Sequence, residues 1–247
     1  MQLLFLFSNL SISLIMSTFS NIKLIAFDAD DTLWDCQSYF EKVEKEYCEI
    51  LSKWGNSQEI SEALFQTETK NMDLLGYGCK AFTISLIENA VKLSHGDING
   101  NDIEKIIELS KTLLELPSTP LSEVEETLHE IRRMDKYDLV IFTKGEILDQ
   151  QNKIKRSGLE KYFDDVVIVS DKTREEYVKL CREHDTEINN LLMIGNSFKS
   201  DIKPVLQLDG YAVHIPFHVE WKHEVTDEYD HHHLIRLQQF CQLTEIL

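Results

Sequence analysis

Beyond Ser20 the chain alternates short apolar runs of strand length with stretches whose apolar residues return every three or four positions. That alternation predicts a parallel sheet covered by helices. The runs are KLIAF (23–27), DLVIF (138–142), DVVIV (165–169), LLMI (191–194) and YAVHI (211–215). All five are continuous, which predicts strands covered on both faces. Between the first and second runs more than a hundred residues pass without another convincing one, far beyond a normal crossover, so a segment is inserted there. It reads as helical. Tyr39, Phe40, Val43, Tyr47, Ile50, Leu51 and Trp54 recur at helical spacing, with Gly55 as a stop, and the aromatic members are expected in the insert's core. Further stripes run through Phe82, Leu86, Ile87, Ala90 and Val91, then through Ile103, Ile106, Ile107, Leu109 and Leu113. Pro117 and Pro120 in LPSTPL mark the return to the sheet. The expected organisation is an α/β core over 21–35 and 118–247, a helical subdomain over 36–117 placed as a lid, and an N-terminal extension over 1–20.

Composition narrows the class. With 247 residues, 43% apolar and 28% charged, the chain suits one or two soluble domains with a sizeable core. A formal charge of -18 without clustered Lys and Arg excludes a nucleic-acid polymer as partner. An anionic small molecule would also be repelled at long range, but screening over roughly 8 Å leaves the decision to local charges. A site for anions therefore needs its own cations. Five scattered cysteines without a CxxC spacing read as ordinary thiols in a reducing cytoplasm. The opening MQLLFLFSNLSISLIM is apolar, yet it has no Lys or Arg before Lys23 and no convincing cleavage site, and polar residues interrupt it. Met16 is the expected true start, residues 1–15 an upstream extension, and an export or anchoring segment the rival reading. No stable membrane association is expected.

In open parallel sheets ligands bind beyond the carboxyl ends of the strands. After the first run stand Asp28, Asp30, Asp31 and Thr32; after the second, Thr143 and Lys144; after the third, Ser170, Asp171 and Lys172; after the fourth, Gly195, Asn196, Ser197 and, shortly beyond, Asp201. One aspartate at a strand end is usually a cap or turn residue. Four strand ends agreeing in chemistry point instead to metal-assisted phosphoryl transfer. Mg2+ takes one or two carboxylates, keeps several waters and leaves room for a phosphate oxygen. Asp28 would attack phosphorus to form an aspartyl-phosphate, and Asp30, two residues on, would protonate the leaving alcohol and then deprotonate water. Thr143 and Lys172 would hold equatorial phosphate oxygens, with Lys144 beside them as a further substrate contact.

DADDT at 28–32, Thr143 in IFTKG, Lys172 in SDKT and GNSFKSD at 195–201 resemble, in order and spacing, the four motifs of the haloacid dehalogenase superfamily of phosphatases. The resemblance spans about 23–216. It implies a Rossmann-like three-layer core with strand order 5-4-1-2-3, Mg2+ dependence and a mobile helical cap after the first motif. TKGEILDQQNKIKRSGLEKYF is similar to phosphoglycolate-phosphatase-like and nucleotidase-like members. On this resemblance Asp28 is nucleophile and metal ligand, and Asp30 is acid/base and ligates metal through its backbone carbonyl. Thr143 and Lys172 become phosphate contacts and Asp201 a metal-side carboxylate. Where many members carry aspartate, this chain has Asn196. Its amide oxygen still suits Mg2+, but one negative charge is gone, so weaker metal binding is expected.

The leading expectation is an Mg2+-dependent phosphatase of a small phosphorylated metabolite. A phosphomutase would intercept the same phosphoenzyme with a sugar hydroxyl. A metal-free 2-haloacid dehalogenase is disfavoured by Asp30, since halide needs no acid and a second carboxylate repels a carboxylate substrate. A signalling receiver domain lacks the large insert, and a silent phosphate-binding or scaffold protein is the reading from another class. Asp31 and Asp35 are expected to cap or turn the chain, Ser197 and Ser200 to support the fourth motif, and Trp34 to reach substrate. His231, His232 and His233 read as a solvated helix start, and His214, His218 and His223 as packing or surface residues.

Overall fold

The computed structural model describes residues 19–247. The expected start at Met16 and the extension over 1–15 lie outside the described residues. Six parallel strands form one sheet: β1 Leu24–Phe27, β2 Asp138–Lys144, β3 Asp165–Val169, β4 Leu191–Gly195, β5 Tyr211–His214 and β6 Leu234–Arg236. Their order is β3-β2-β1-β4-β5-β6. Read from the other edge, the first five follow the expected 5-4-1-2-3, and β6 extends the sheet beyond β5. β1 lies at the centre, with Leu24 level with Asp138 on one side and Leu191 on the other. All four of its residues are buried. β3 departs from the expectation of full coverage. It is an edge strand, and only Val169 is buried.

The segment between β1 and β2 contains helices α1 Gln37–Ile50, α2 Ser57–Leu75, α3 Cys79–Leu93 and α4 Gly100–Lys111. Asp31 Oδ1 accepts from the amides of Cys36 (2.8 Å) and Gln37 (2.9 Å), and Asp35 Oδ1 from Ser38 N (3.2 Å), so both hold the start of α1. Asn56 and Glu59 exchange side-chain and backbone hydrogen bonds at the head of α2, a capping box. The four helices enclose a core of their own that includes Val43, Tyr47, Leu51, Ile60, Leu64, Leu86 and Ile106. Tyr47 Oη donates to the Leu86 carbonyl (2.9 Å) and accepts from Asn89 Nδ2 (2.9 Å). Tyr39, expected in that core, is exposed because it falls on the outer face of α1. The chain leaves and rejoins the sheet at one point: Trp34 bridges Pro120, and Leu121 N donates to the Leu33 carbonyl (2.9 Å).

Helices α5 Val124–Arg133, α6 Ile147–Ser157, α7 Arg174–Glu183 and α8 Lys203–Leu206 flank the sheet. Ile25, Phe27, Ile141 and Val213 face α5 and the C-terminal turn Phe240–Glu245, while Ala26, Phe142 and Met193 face α7 and α8. Phe19, placed by sequence in the N-terminal extension, is buried and meets Tyr211 edge-on at 5.8 Å. His231, His232 and His233 do not open a helix. They form the turn into β6, where the His233 carbonyl accepts from Ala212 N (3.0 Å) and His233 Nδ1 lies 3.4 Å from Asp209 Oδ1. The chain turns here to pair β6 with β5, which leaves no room for the expected helix start. No helix among the described residues is long and apolar enough to cross a membrane.

Candidate active site

The strand register delivers the site. Asp28 N still donates to the Ile194 carbonyl (2.9 Å), after which the chain turns, with Asp31 at a φ of 63°. Asp28 is buried, and its two oxygens face different partners. Oδ1 accepts from Lys172 Nζ at 2.5 Å, and that ammonium also donates to Asp201 Oδ1 at 2.7 Å. Oδ2 accepts from Thr32 Oγ1 at 3.1 Å. The Asn196 side chain satisfies its surroundings with its amide nitrogen turned inward, 3.2 Å from Asp28 Oδ2 and 3.2 Å from the Asp30 carbonyl oxygen. Rotating that amide by half a turn puts a third oxygen beside the other two. Oxygens about 3 Å apart match neighbouring corners of an octahedron with roughly 2.1 Å bonds, so Asp28, the Asp30 carbonyl and Asn196 fit a hard cation such as Mg2+.

Asp201 occupies the other side of Asp28. Its Oδ2 accepts from Ser197 N (2.9 Å), so both of its oxygens are engaged, by Lys172 and by the turn after β4. Gly195 makes this approach feasible, because a Cβ there would lie 2.2 Å from Asp201 Oδ2. Ser197 and Ser200 support the turn as expected: Ser200 N donates to Ser197 Oγ (3.1 Å), and both hydroxyls donate to Glu224. Glu224 in turn pairs with Lys144, whose Nζ also donates to Ser200 Oγ (2.8 Å). Thr143 is buried at the end of β2.

Asp30 is clasped from three directions. Trp34 Nε1 donates to Oδ1 (2.8 Å), while Gln150 Nε2 (2.9 Å) and Lys153 Nζ (2.5 Å) donate to Oδ2. Trp34 is fully buried in this role and does not line the cavity, which corrects its expected contact with substrate. The two carboxyls diverge in acidity. Burial pushes Asp28 up to about 7 against the lowering pull of Lys172, and the neighbouring Asp201 adds to the rise. Burial also acts to raise Asp30, but Lys153 and the hydrogen bonds of Gln150 and Trp34 outweigh it, so its carboxyl lies below the usual range. Burial disfavours the Lys172 ammonium, yet Asp201 and Asp28 together keep it protonated.

A cavity of about 160 Å³ receives all seven sequence candidates, Asp28, Asp30, Thr143, Lys144, Lys172, Asn196 and Asp201, together with Phe40, Tyr77 and Phe82 from the inserted segment. Sequence reasoning missed Gln150, Lys153 and Glu224. The first two were accessible in principle, since they lie three residues apart on the helix after the second motif. Glu224 sits in an irregular stretch with no pattern to announce it. His214, buried with Nε2 2.9 Å from the Asn196 carbonyl oxygen, is a packing residue, and His223 stacks on Phe65.

Residues 22–208 match the family described as haloacid dehalogenase-like hydrolase. Over 231 residues the chain is 24% identical to the glyceraldehyde 3-phosphate phosphatase of Methanocaldococcus jannaschii, covering 92% of this chain and 98% of that protein. The crystal structure of a haloacid dehalogenase-like hydrolase from Xanthomonas campestris is similar at a TM-score of 0.79 and 31% identity, over 88% of this chain and 87% of that one. A predicted phosphoglycolate phosphatase from Haemophilus somnus shares the fold at a TM-score of 0.59 and 14% identity, over 92% of this chain and 98% of that one.

Proposed function

This chain belongs to the haloacid dehalogenase-like hydrolases, and on that premise we propose that it is an Mg2+-dependent phosphatase that hydrolyses a small phosphomonoester through an aspartyl-phosphate at Asp28. One observation carries the reading: buried Asp28 presents Oδ1 to Lys172 and Oδ2 towards the Asp30 carbonyl oxygen and the Asn196 side-chain amide, whose oxygen a half-turn would bring to the same corner. Mg2+ held by Asp28, the Asp30 carbonyl and Asn196 would supply positive charge that offsets repulsion between the nucleophile and an anionic ester. Asp201 keeps Lys172 in place beside it.

Asp28 attacks phosphorus as the P–O bond to the alcohol breaks, and Lys172 and Thr143 steady the equatorial oxygens. Asp30 serves both halves of the reaction. Clasped by Lys153 it is ionised, the state that takes a proton from the water attacking the phosphoenzyme. Protonating the leaving alcohol in the first half requires Asp30 to arrive with a proton and loosen from Lys153. Helices α1–α4 act as the cap that encloses the leaving group, and the five free thiols fit a reducing cytoplasm. Glyceraldehyde 3-phosphate, which names the archaeal relative, is a small monoester of the proposed class and belongs first on a substrate panel.

Hydrolysis of p-nitrophenyl phosphate tests the reading. Phosphate release in Mg2+ is expected to vanish with EDTA and to fall at least about 1,000-fold in Asp28→Asn, as loss of a covalent nucleophile requires. Undiminished release in either case refutes it. Transfer of the phosphoryl group to an added sugar phosphate, in place of release to water, would identify a phosphomutase.

A further inference from the structure

Among the described residues, the cavity lining offers acceptors and aromatic rings but no unpaired cation. Nine carboxylate residues line the cavity against three lysines. Every lysine is already matched: Lys172 by Asp28 and Asp201, Lys153 by Asp30 and Asp149, and Lys144 by Glu224. Among the remaining carboxylates Glu68 has only His223, 3.9 Å away, and Glu220 forms no ion pair among the described residues. Two acceptors on α6, beside Asp30 and Lys153, are also unfilled. Asp149 Oδ1 and Gln150 Oε1 are buried and find no donor among the described residues. A buried acceptor without a donor is costly, whereas the solvent-accessible carboxylates of Glu68 and Glu220 can accept directly from a ligand hydroxyl or ammonium. Tyr77 and Trp221, edge to face at 5.8 Å, complete the wall with flat apolar surface.

We propose that the leaving group is an alcohol rich in hydrogen-bond donors and free of negative charge, as in a polyol, sugar or amino-alcohol monophosphate, and that esters of carboxylated alcohols are rejected. The inference rests on the phosphatase reading only for the position of the phosphate. A carboxylate on the leaving group would enter a partly desolvated space lined by Glu68 and Glu220, with no unpaired cation among the described residues to meet it.

Two matched pairs of ligands test this: glycerol 3-phosphate against 3-phosphoglycerate, and phosphoethanolamine against phosphoglycolate. Calorimetric titration of all four into Asp28→Asn with Mg2+ reads recognition without turnover, and wild-type kcat/KM is measured in parallel. The member of each pair without a carboxylate is expected to bind at least about ten-fold more tightly, a gap of roughly 1.4 kcal/mol. Adding Glu68→Gln and Glu220→Gln is expected to narrow that ratio by about three-fold or more. Equal affinities, an inverted order or no binding of any of the four overturns the inference. Failure of the phosphatase reading has a different signature, turnover by Asp28→Asn at the wild-type rate, which leaves the binding ratios untouched.

Discussion

At the scale of single residues the site is a set of oxygens whose charge is adjusted by what lies beside them. Asn196 holds the position from which a carboxylate would face both Asp28 and the Asp30 carbonyl. Asn196→Asp is therefore expected to bind Mg2+ about ten-fold more tightly, read from the Mg2+ concentration that half-activates hydrolysis. Asp31 gives a prediction about pH. Burial lifts its carboxyl to about 7, against roughly 3.9 in an unfolded chain. An acid whose folded pKa is raised favours the fold while protonated. Its contribution is whole below about pH 4 and is lost as the pH climbs towards 7. Asp31→Asn retains an oxygen for the amides of Cys36 and Gln37 and cannot ionise. Because Asp31 is only half-buried, the metal-free variant is expected to exceed wild type by about 1 kcal/mol at pH 8 and to equal it at pH 4, in paired urea unfolding curves. The seven residues at strand ends were legible because a parallel sheet gathers its carboxyl ends on one edge. Lys153 and Glu224 were not, because a charged residue on a helix or loop reads as solvated until its partner is seen.

At the scale of elements, close approach of β4 to the turn after it decides whether Asp201 can serve Lys172. Gly195→Ala would drive a Cβ into Asp201 Oδ2. It is expected to lower stability by about 1–3 kcal/mol and kcat/KM by at least about ten-fold, measured by urea unfolding and p-nitrophenyl phosphate kinetics. Strands β1, β2, β4 and β5 were readable as continuous apolar runs because neighbours cover both faces. β3 looked the same in sequence, yet its place on the edge leaves it half-exposed. β6, three residues long, is too short for any periodicity to register, and only pairing with β5 defines it.

At the scale of the whole molecule, the sheet edge and the inserted helices build one cavity from segments far apart in the chain. The insert's rigidity rests partly on Tyr47, which links α1 to α3 through the Leu86 carbonyl and Asn89. Tyr47→Phe removes both bonds, leaves the buried Asn89 amide without this acceptor and is expected to cost about 1–2 kcal/mol in urea unfolding. Tyr47 does not line the cavity, so kcat/KM should stay within about two-fold of wild type. The sequence by itself determined the α/β class, the helical insert and the chemistry at four strand ends, because apolar period and strand-end position are local properties of a chain. Tertiary structure alone decided that Lys153 clasps Asp30, that Glu224 neutralises Lys144 and that, among the described residues, each lysine lining the cavity is paired. Those are pairings between distant segments, and the balance of charge in a cavity exists only once the chain has closed around it.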